Sequence, residues 1–258
     1  MDLGLSDKVA MVTGASRGLG RYIALRLAAE GCDLAICART EEILAGAADE
    51  VRALGRRCLA KSLDVTMAGA AEEMVAATLE ELGQIDILVN NVGGNRRGQV
   101  DETTDEDWDA IIELNFKSHL RFSRAVIPHM RQRQEGVILF ISSIFGREAG
   151  GKGLSIYNTT KSALISLAKI MALELAGEGV RVNSIAPGSI RFPGGSWDKR
   201  CIEDPDGMAE FIRQNLPLGR FGSAEELADV VTFLASPRAG LMTGACVNVD
   251  GGQSHSLI

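Results

Sequence analysis

Cysteine and histidine are too few and too scattered to build a centre. The five cysteines, at 32, 37, 58, 201 and 246, are odd in number and show no C-x-x-C spacing, and the three histidines stand apart at 119, 129 and 255. Neither a disulfide framework nor a metal site is expected. Basic residues also fall short: 27 lysines and arginines against 34 acidic residues leave a formal charge of −7. That balance argues against a nucleic-acid or anionic-membrane partner, so any cationic site must be local. No stretch offers the roughly 20 uninterrupted apolar residues of a membrane-spanning helix. The opening MDLGLSDKVA has no basic region followed by a long apolar run, which predicts a soluble, cytoplasmic protein. There is neither a long linker nor an internal repeat, and one domain is expected over residues 1–258.

What the chain does have is alternation. At 46% apolar residues it can bury a full core. Apolar strand candidates run over Val9–Val12, Leu34–Cys37, Cys58–Leu63, Ile85–Asn90, Val137–Ser142, Val180–Ile185 and Ala245–Val249. Helical stretches separate most of them, with long ones near Asp105–Arg133 and Ser155–Ala176. The pattern predicts an α/β domain: a doubly wound parallel sheet of about seven strands, helices on both faces, and ligands at the carboxyl ends of the strands. The segment SALISLAKIMALELAG after Lys161 is apolar nearly all round, as if one side packs on the sheet and the other on a partner subunit.

Two local patterns carry chemistry. The run Val9 to Val12 leads into TGASRGLG, Thr13 to Gly20, which reads as strand, tight turn and helix start. Gly14, Gly18 and Gly20 let the backbone come close to a ligand, and the first amides of the helix favour a pyrophosphate. The spacing is G-x-x-x-G-x-G, because Ile23 takes the place of the last glycine in the common dinucleotide fingerprint. Further on, Tyr157 and Lys161 stand four residues apart in YNTTK, fourteen after Ser143 in LFISSIFG. On a helix these two positions share a face. An ammonium there is expected to lower the phenol's pKa from about 10, making it a usable acid or base, while a serine hydroxyl holds a carbonyl oxygen.

Taken together, Thr13-Gly14 to Gly20, NNVG at Asn90 to Gly93, Asn115, Ser143, Tyr157, Lys161, Pro187-Gly188 and the closing TGACVNVDGG resemble the short-chain dehydrogenase/reductase family in order and approximate spacing, over essentially the whole chain. The resemblance implies a single Rossmann-like domain, a nicotinamide dinucleotide, hydride transfer to or from an alcohol or carbonyl carbon, and a dimer or homotetramer. It implies that Tyr157 exchanges a proton with the substrate oxygen, that Lys161 lowers its pKa and binds the nicotinamide ribose, that Ser143 orients the substrate, and that Asn115 holds a water in a relay to Lys161. Ser142 competes with Ser143, and the family's glycine three residues later selects Ser143. For the cofactor it implies Gly14, Ser16, Arg17, Gly18, Leu19 and Gly20 in the turn, Asp64 and Val65 near the adenine, and Asn91, Gly93, Pro187, Gly188 and Ile190 along the cleft, with Tyr157 and Lys161. Asn90 is expected to tie the fourth strand to Thr13.

Charge bears on cofactor choice. The second strand ends CART, so Ala38 offers no carboxylate for a ribose 2′-hydroxyl, while Arg39 and Arg17 can accommodate a 2′-phosphate. NADP(H) is preferred, with NAD(H) possible. Asp33 lies at the wrong end of that strand. Three features depart from the family pattern: Val92 for alanine in N-N-A-G, Phe192 for a threonine that commonly bonds cofactor, and a serine-to-tyrosine interval one residue longer than usual. Arg96, Arg97, Arg147, Lys152 and Arg191 fall at the predicted ligand edge and suit an anionic substrate such as a β-keto acid or a phosphopantetheine-linked acyl group. Residues 189–215 resemble a mobile substrate lid, with Gly194-Gly195 as hinge and Trp197 with Phe192 as apolar wall. The function expected is a carbonyl reductase or alcohol dehydrogenase. A 3-oxoacyl-acyl-carrier-protein reductase shares every motif, and a non-catalytic dinucleotide-binding sensor or assembly subunit is the alternative of another class.

Overall fold

A computed structural model describes residues 2–257. Seven parallel strands form the central sheet in the order β3-β2-β1-β4-β5-β6-β9. They are β1 (Val9–Thr13), β2 (Asp33–Ala38), β3 (Cys58–Ser62), β4 (Ile87–Asn90), β5 (Gly136–Ile141), β6 (Val180–Pro187) and β9 (Cys246–Val249). Two short strands, β7 (Ile190–Arg191) and β8 (Gly222–Ser223), pair apart from the sheet. The central strands are apolar on both faces, as a sheet covered on both sides requires; every residue of β1, β4 and β5 is buried.

The helices are α1 (Gly18–Ala29), α2 (Glu41–Ala53), α3 (Ala70–Leu82), α4 (Asp105–Ile112), α5 (Ser118–Arg133), α6 (Ser155–Leu175), α7 (Ser196–Glu203), α8 (Pro205–Asn215) and α9 (Ala224–Ala235). Ile23, Leu27, Leu44, Val51, Leu227 and Val231 place α1, α2 and α9 in the core on one face. Met74, Phe122, Val126, Leu164 and Met171 place α3, α5 and α6 on the other. The predicted helix over Asp105–Arg133 is interrupted: α4 begins at a capping box made by Thr104 and Asp107, then Glu113–Lys117 adopts a π-helical turn before α5. That turn carries Asn115.

The order reverses between β1 and β4, where the crossovers to β2 and β5 leave in opposite directions, so a crevice opens at the carboxyl ends of β1 and β4. At their amino ends Asp86, 3% exposed, accepts from Val9 N at 2.7 Å and pairs with Arg133 at 2.9 Å. Asp33 is likewise fixed at the start of β2 by Arg56 and Arg57, at 2.9 and 2.7 Å. No helix among the described residues is long and apolar enough to cross a membrane. On α6, Ile170 and Leu173 are 50% and 69% exposed.

Candidate active site

The turn after β1 is built for close approach. Gly14 adopts φ +68°, a region open to glycine at little cost, and a Cβ there would lie 2.9 Å from Val92 Cγ2. Gly20 packs beneath the turn, where a Cβ would come within 2.4 Å of Gly14 O, and so it shapes the cavity without lining it. Asn91 holds the turn to β4: its backbone N donates to Thr13 Oγ1 at 3.0 Å and its Nδ2 to Thr13 O at 2.9 Å. This corrects the expectation for Asn90, whose side chain points the other way and donates to Ser123 Oγ on α5 at 3.1 Å.

A cavity of about 600 Å³ opens over this turn. Gly14, Ser16, Arg17, Gly18, Leu19, Arg39, Asp64, Val65, Asn91 and Gly93 all line it, together with Ala38 and Leu63 at the ends of β2 and β3. Neither guanidinium, of Arg17 or of Arg39, has an ion-pair partner among the described residues. Asp64 accepts from Thr66 N and Thr66 Oγ1 at 2.9 and 2.7 Å; burial pushes its carboxyl up, but these bonds and Arg39 hold it below its usual value. The cavity has the size and the glycine-lined floor at a helix N-terminus that suit a dinucleotide. Phe192 also lies here and not in the substrate wall: its ring edge would meet a Cβ on Gly18 at 3.2 Å. Lys199, which the sequence reading missed, faces the same cavity from α7.

Tyr157, Lys161, Ser143 and Asn115 come together where β4, β5 and α6 meet. Ser143 and Tyr157 line one cleft of about 320 Å³ with Pro187 and Gly188, whereas Ile190 packs over Gly222 instead. Ser142 turns inward and donates to Lys161 O at 2.8 Å. Lys161 is buried; its Nζ donates to Ile141 O at 2.7 Å and lies 5.7 Å from the Tyr157 ring centroid. Burial pulls this ammonium down to about 8. The phenol does not show the lowering anticipated from the lysine: burial pushes Tyr157 upward, with the Ser143 hydroxyl pulling the other way.

Asn115 is fully enclosed. Its Oδ1 accepts from Gly94 N at 2.8 Å, and its Nδ2 donates to Gly94 O at 2.9 Å and Thr160 Oγ1 at 3.0 Å. The π-helical turn, a common device at functional sites, aims it between the β4 loop and α6. Gly93 marks the junction, since a Cβ there would stand 3.4 Å from Lys161 Nζ and 3.7 Å from Asn115 Oδ1.

His119 carries no role in the sequence reading, yet it braces the loop from below. Its Nε2 meets Val92 O at 2.8 Å, and because a carbonyl only accepts, that nitrogen must bear the proton. Burial and the charge of Lys161 push it down to about 3, so the ring is neutral.

Among the basic residues expected at the ligand edge, Arg96 pairs with Asp107 at 3.7 Å, Arg191 with Asp198 at 2.9 Å, and Arg147 donates to Cys246 O and Asn248 Oδ1 at 3.1 and 2.7 Å. Only Arg97 and Lys152 face open cavities, joined by Arg200, which lay unnoticed within the lid segment. Trp197 forms the apolar wall with Phe211 and Phe221, ring centroids 4.7 and 5.2 Å away.

Comparison with known proteins extends over this whole arrangement. A family model described as enoyl-(acyl carrier protein) reductase matches residues 14–254. Short-chain reductase protein NovJ of Streptomyces niveus is 38% identical over 248 residues, covering 96% of this chain and 94% of its own. The 3-oxoacyl-(acyl-carrier-protein) reductase FabG of Escherichia coli K12 is 38% identical over 250 residues, covering 97% and 98%. The crystal structure of L-sorbose reductase from Gluconobacter frateurii, complexed with NADPH and L-sorbose, matches with a TM-score of 0.94 at 35% identity, over 100% of both chains. The sheet order, the glycine turn at its reversal point and similarity along the full length lead to one conclusion: this chain belongs to the short-chain dehydrogenase/reductase family of oxidoreductases.

Proposed function

We propose that the protein is an NADP(H)-dependent carbonyl reductase or alcohol dehydrogenase acting through Ser143, Tyr157, Lys161 and Asn115. The observation that carries this reading is the Ser143–Tyr157 cleft wall, backed by buried Lys161 and adjoining a cavity rimmed by two unpaired arginines. When bound, the dinucleotide supplies or accepts the hydride at the substrate carbon. Arg39 and Arg17 would hold a 2′-phosphate, and the amides at the start of α1 would hold the pyrophosphate.

Hydrogen-bond capacity gives each residue its task. Ser143 Oγ already accepts from Phe145 N at 3.2 Å, which leaves its O–H to donate to the substrate oxygen. Tyr157, held protonated by burial, gives its phenolic proton to that oxygen as the carbon–oxygen double bond is reduced, and takes it back in oxidation. Lys161 has spent one N–H on Ile141 O and keeps two for ribose hydroxyls. Asn115 has used both amide hydrogens, so only a lone pair on Oδ1 is left to hold a relay water. Residues 189–215 act as the lid, with Gly194-Gly195 as hinge; Gly194 N donates to Asp198 Oδ2 at 3.0 Å. Exposed Ile170 and Leu173 support a homo-oligomer, dimer or tetramer.

The similarity to FabG favours one second reading, reduction of a 3-oxoacyl thioester. Dissociation constants for NADPH and NADH, with wild type and Arg39→Ala, test the first. NADPH is expected to bind at least about tenfold tighter, with that preference lost in the variant. Tighter NADH binding overturns the cofactor assignment, and activity with acetoacetyl thioesters but not free ketones selects the second reading.

A further inference from the structure

We propose that Arg97 and Arg200 form an anion site that selects a substrate bearing a carboxylate a few bonds from its reacting carbonyl, an inference that rests on the oxidoreductase reading above. Both arginines line the same cleft of about 320 Å³ as Ser143 and Tyr157. No aspartate or glutamate lines that cleft. Both also border an adjoining chamber of about 410 Å³, where Lys152 adds a third cation. Among the described residues the carboxylate there is Glu148, whose Oε2 is held by Ser254 Oγ at 3.1 Å and His255 N at 2.9 Å.

Neither guanidinium has an acidic partner among the described residues, in a protein whose formal charge is −7 and where the neighbouring Arg96 and Arg191 are paired with Asp107 and Asp198. Arg200 is not loose. Its guanidinium lies over Trp197, 4.9 Å from the ring centroid, and that ring is itself stacked on Phe211. The cation–π contact holds the guanidinium beside the cleft wall, where its N–H groups can bond a carboxylate. Arg97 approaches from the loop after β4, so the two cations reach the cleft from different elements.

The position of the site discriminates between anions. Because the arginines border the chamber that holds Ser143 and Tyr157, the anion and the reacting carbonyl must share a small volume. A short keto acid satisfies this. The phosphate of a phosphopantetheine arm is separated from its acyl carbonyl by the whole pantetheine chain.

The test compares kcat/KM with NADPH for 4-oxopentanoate and 5-oxohexanoate against their methyl esters, in wild type, Arg97→Gln and Arg200→Gln. Thermal midpoints verify folding, and calorimetric binding of each acid and ester to the NADP+ complex, which cannot reduce them, gives a readout that does not depend on turnover. The acid-to-ester preference in wild type is expected to fall at least about tenfold in each variant, the scale of a lost charge-assisted hydrogen bond. Wild type that binds NADPH and shows no preference for either acid, or variants that keep the wild-type ratio, overturn the anion site and leave the oxidoreductase reading standing. Failure to bind either dinucleotide instead overturns the reading on which the site rests. Acetoacetyl-pantetheine with and without its 4′-phosphate forms the second arm: a ratio that collapses there, and not with the keto acids, replaces the carboxylate by a phosphate.

Discussion

Lys161→Met isolates the buried ammonium at the centre of the site. Folding takes this lysine from an ordinary 10.5 in the unfolded chain to about 8, with burial as the cause. Below the lower value both states carry the charge, and the fold bears the full penalty of enclosing it. Between the two values the unfolded chain holds a proton that the folded protein does not, so stability rises with pH; above 10.5 the penalty is gone. A gap of this size corresponds to about 3 kcal/mol below the window, most of which is recovered between about pH 7 and 10. Methionine keeps the length of the side chain and removes the charge, and every other titrating group is common to both proteins. The lost bond to Ile141 O offsets the variant's stability by an amount that does not vary with pH. Urea unfolding of both proteins across this range, at fixed protein concentration, should show wild type gaining on the variant as pH rises. A stability difference that stays flat over the window refutes the buried cation.

Tyr157→Phe should lower kcat by at least about a hundredfold while the dinucleotide still binds, because the substrate oxygen then lacks its proton donor; stopped-flow turnover alongside a binding titration checks both. Asp86→Ala should lower stability by about 3–5 kcal/mol, since Arg133 and Val9 N lose a buried anion that each contacts within 3 Å, measured by urea unfolding. Gly14→Ala should cost about 1–2 kcal/mol from its left-handed backbone alone, with further loss of dinucleotide affinity as Val92 is displaced, read by thermal midpoint and titration.

The sheet was legible because its strands are buried on both faces and therefore written as unbroken apolar runs, such as VAMV and ILVN. The pairing of β7 with β8 was not, since two residues carry no period. The Asn90–Asn91 exchange has a similar origin. Neighbouring residues on a strand point to opposite faces, so two adjacent asparagines give no sign of which one meets the turn. Phe192 and Trp197 read as one wall in the sequence because both are aromatic in one segment, yet the chain passes between two cavities there, and Lys199 and Arg200 on α7 face different ones. The arginines posed the opposite problem. Their positions at the ligand edge were readable, but whether each was free depended on partners distant in sequence, such as Asn248 for Arg147.

What remains unbonded at the centre indicates where ligand chemistry belongs. A buried polar group without a partner lowers stability by about 1–3 kcal/mol, so interiors satisfy nearly all of them. Here Asn115 commits both amide hydrogens to Gly94 and Thr160, Ser142 is spent on the α6 backbone, and His119 Nε2 is bonded to Val92. Behind the loop, among the described residues, only Asn90 Oδ1 and His119 Nδ1 lack a partner. In front, two N–H groups of Lys161 and a lone pair of Asn115 Oδ1 meet at Gly93, and Ser143 and Tyr157, which interact with each other, line the cleft. Most groups behind the site are bonded within the protein, and those in front keep donors and acceptors that a ligand can engage. Lys161 belongs to both sets. Its bond to Ile141 fixes its position, while its charge destabilises the fold that encloses it, the combination expected of a residue retained for chemistry and not for stability.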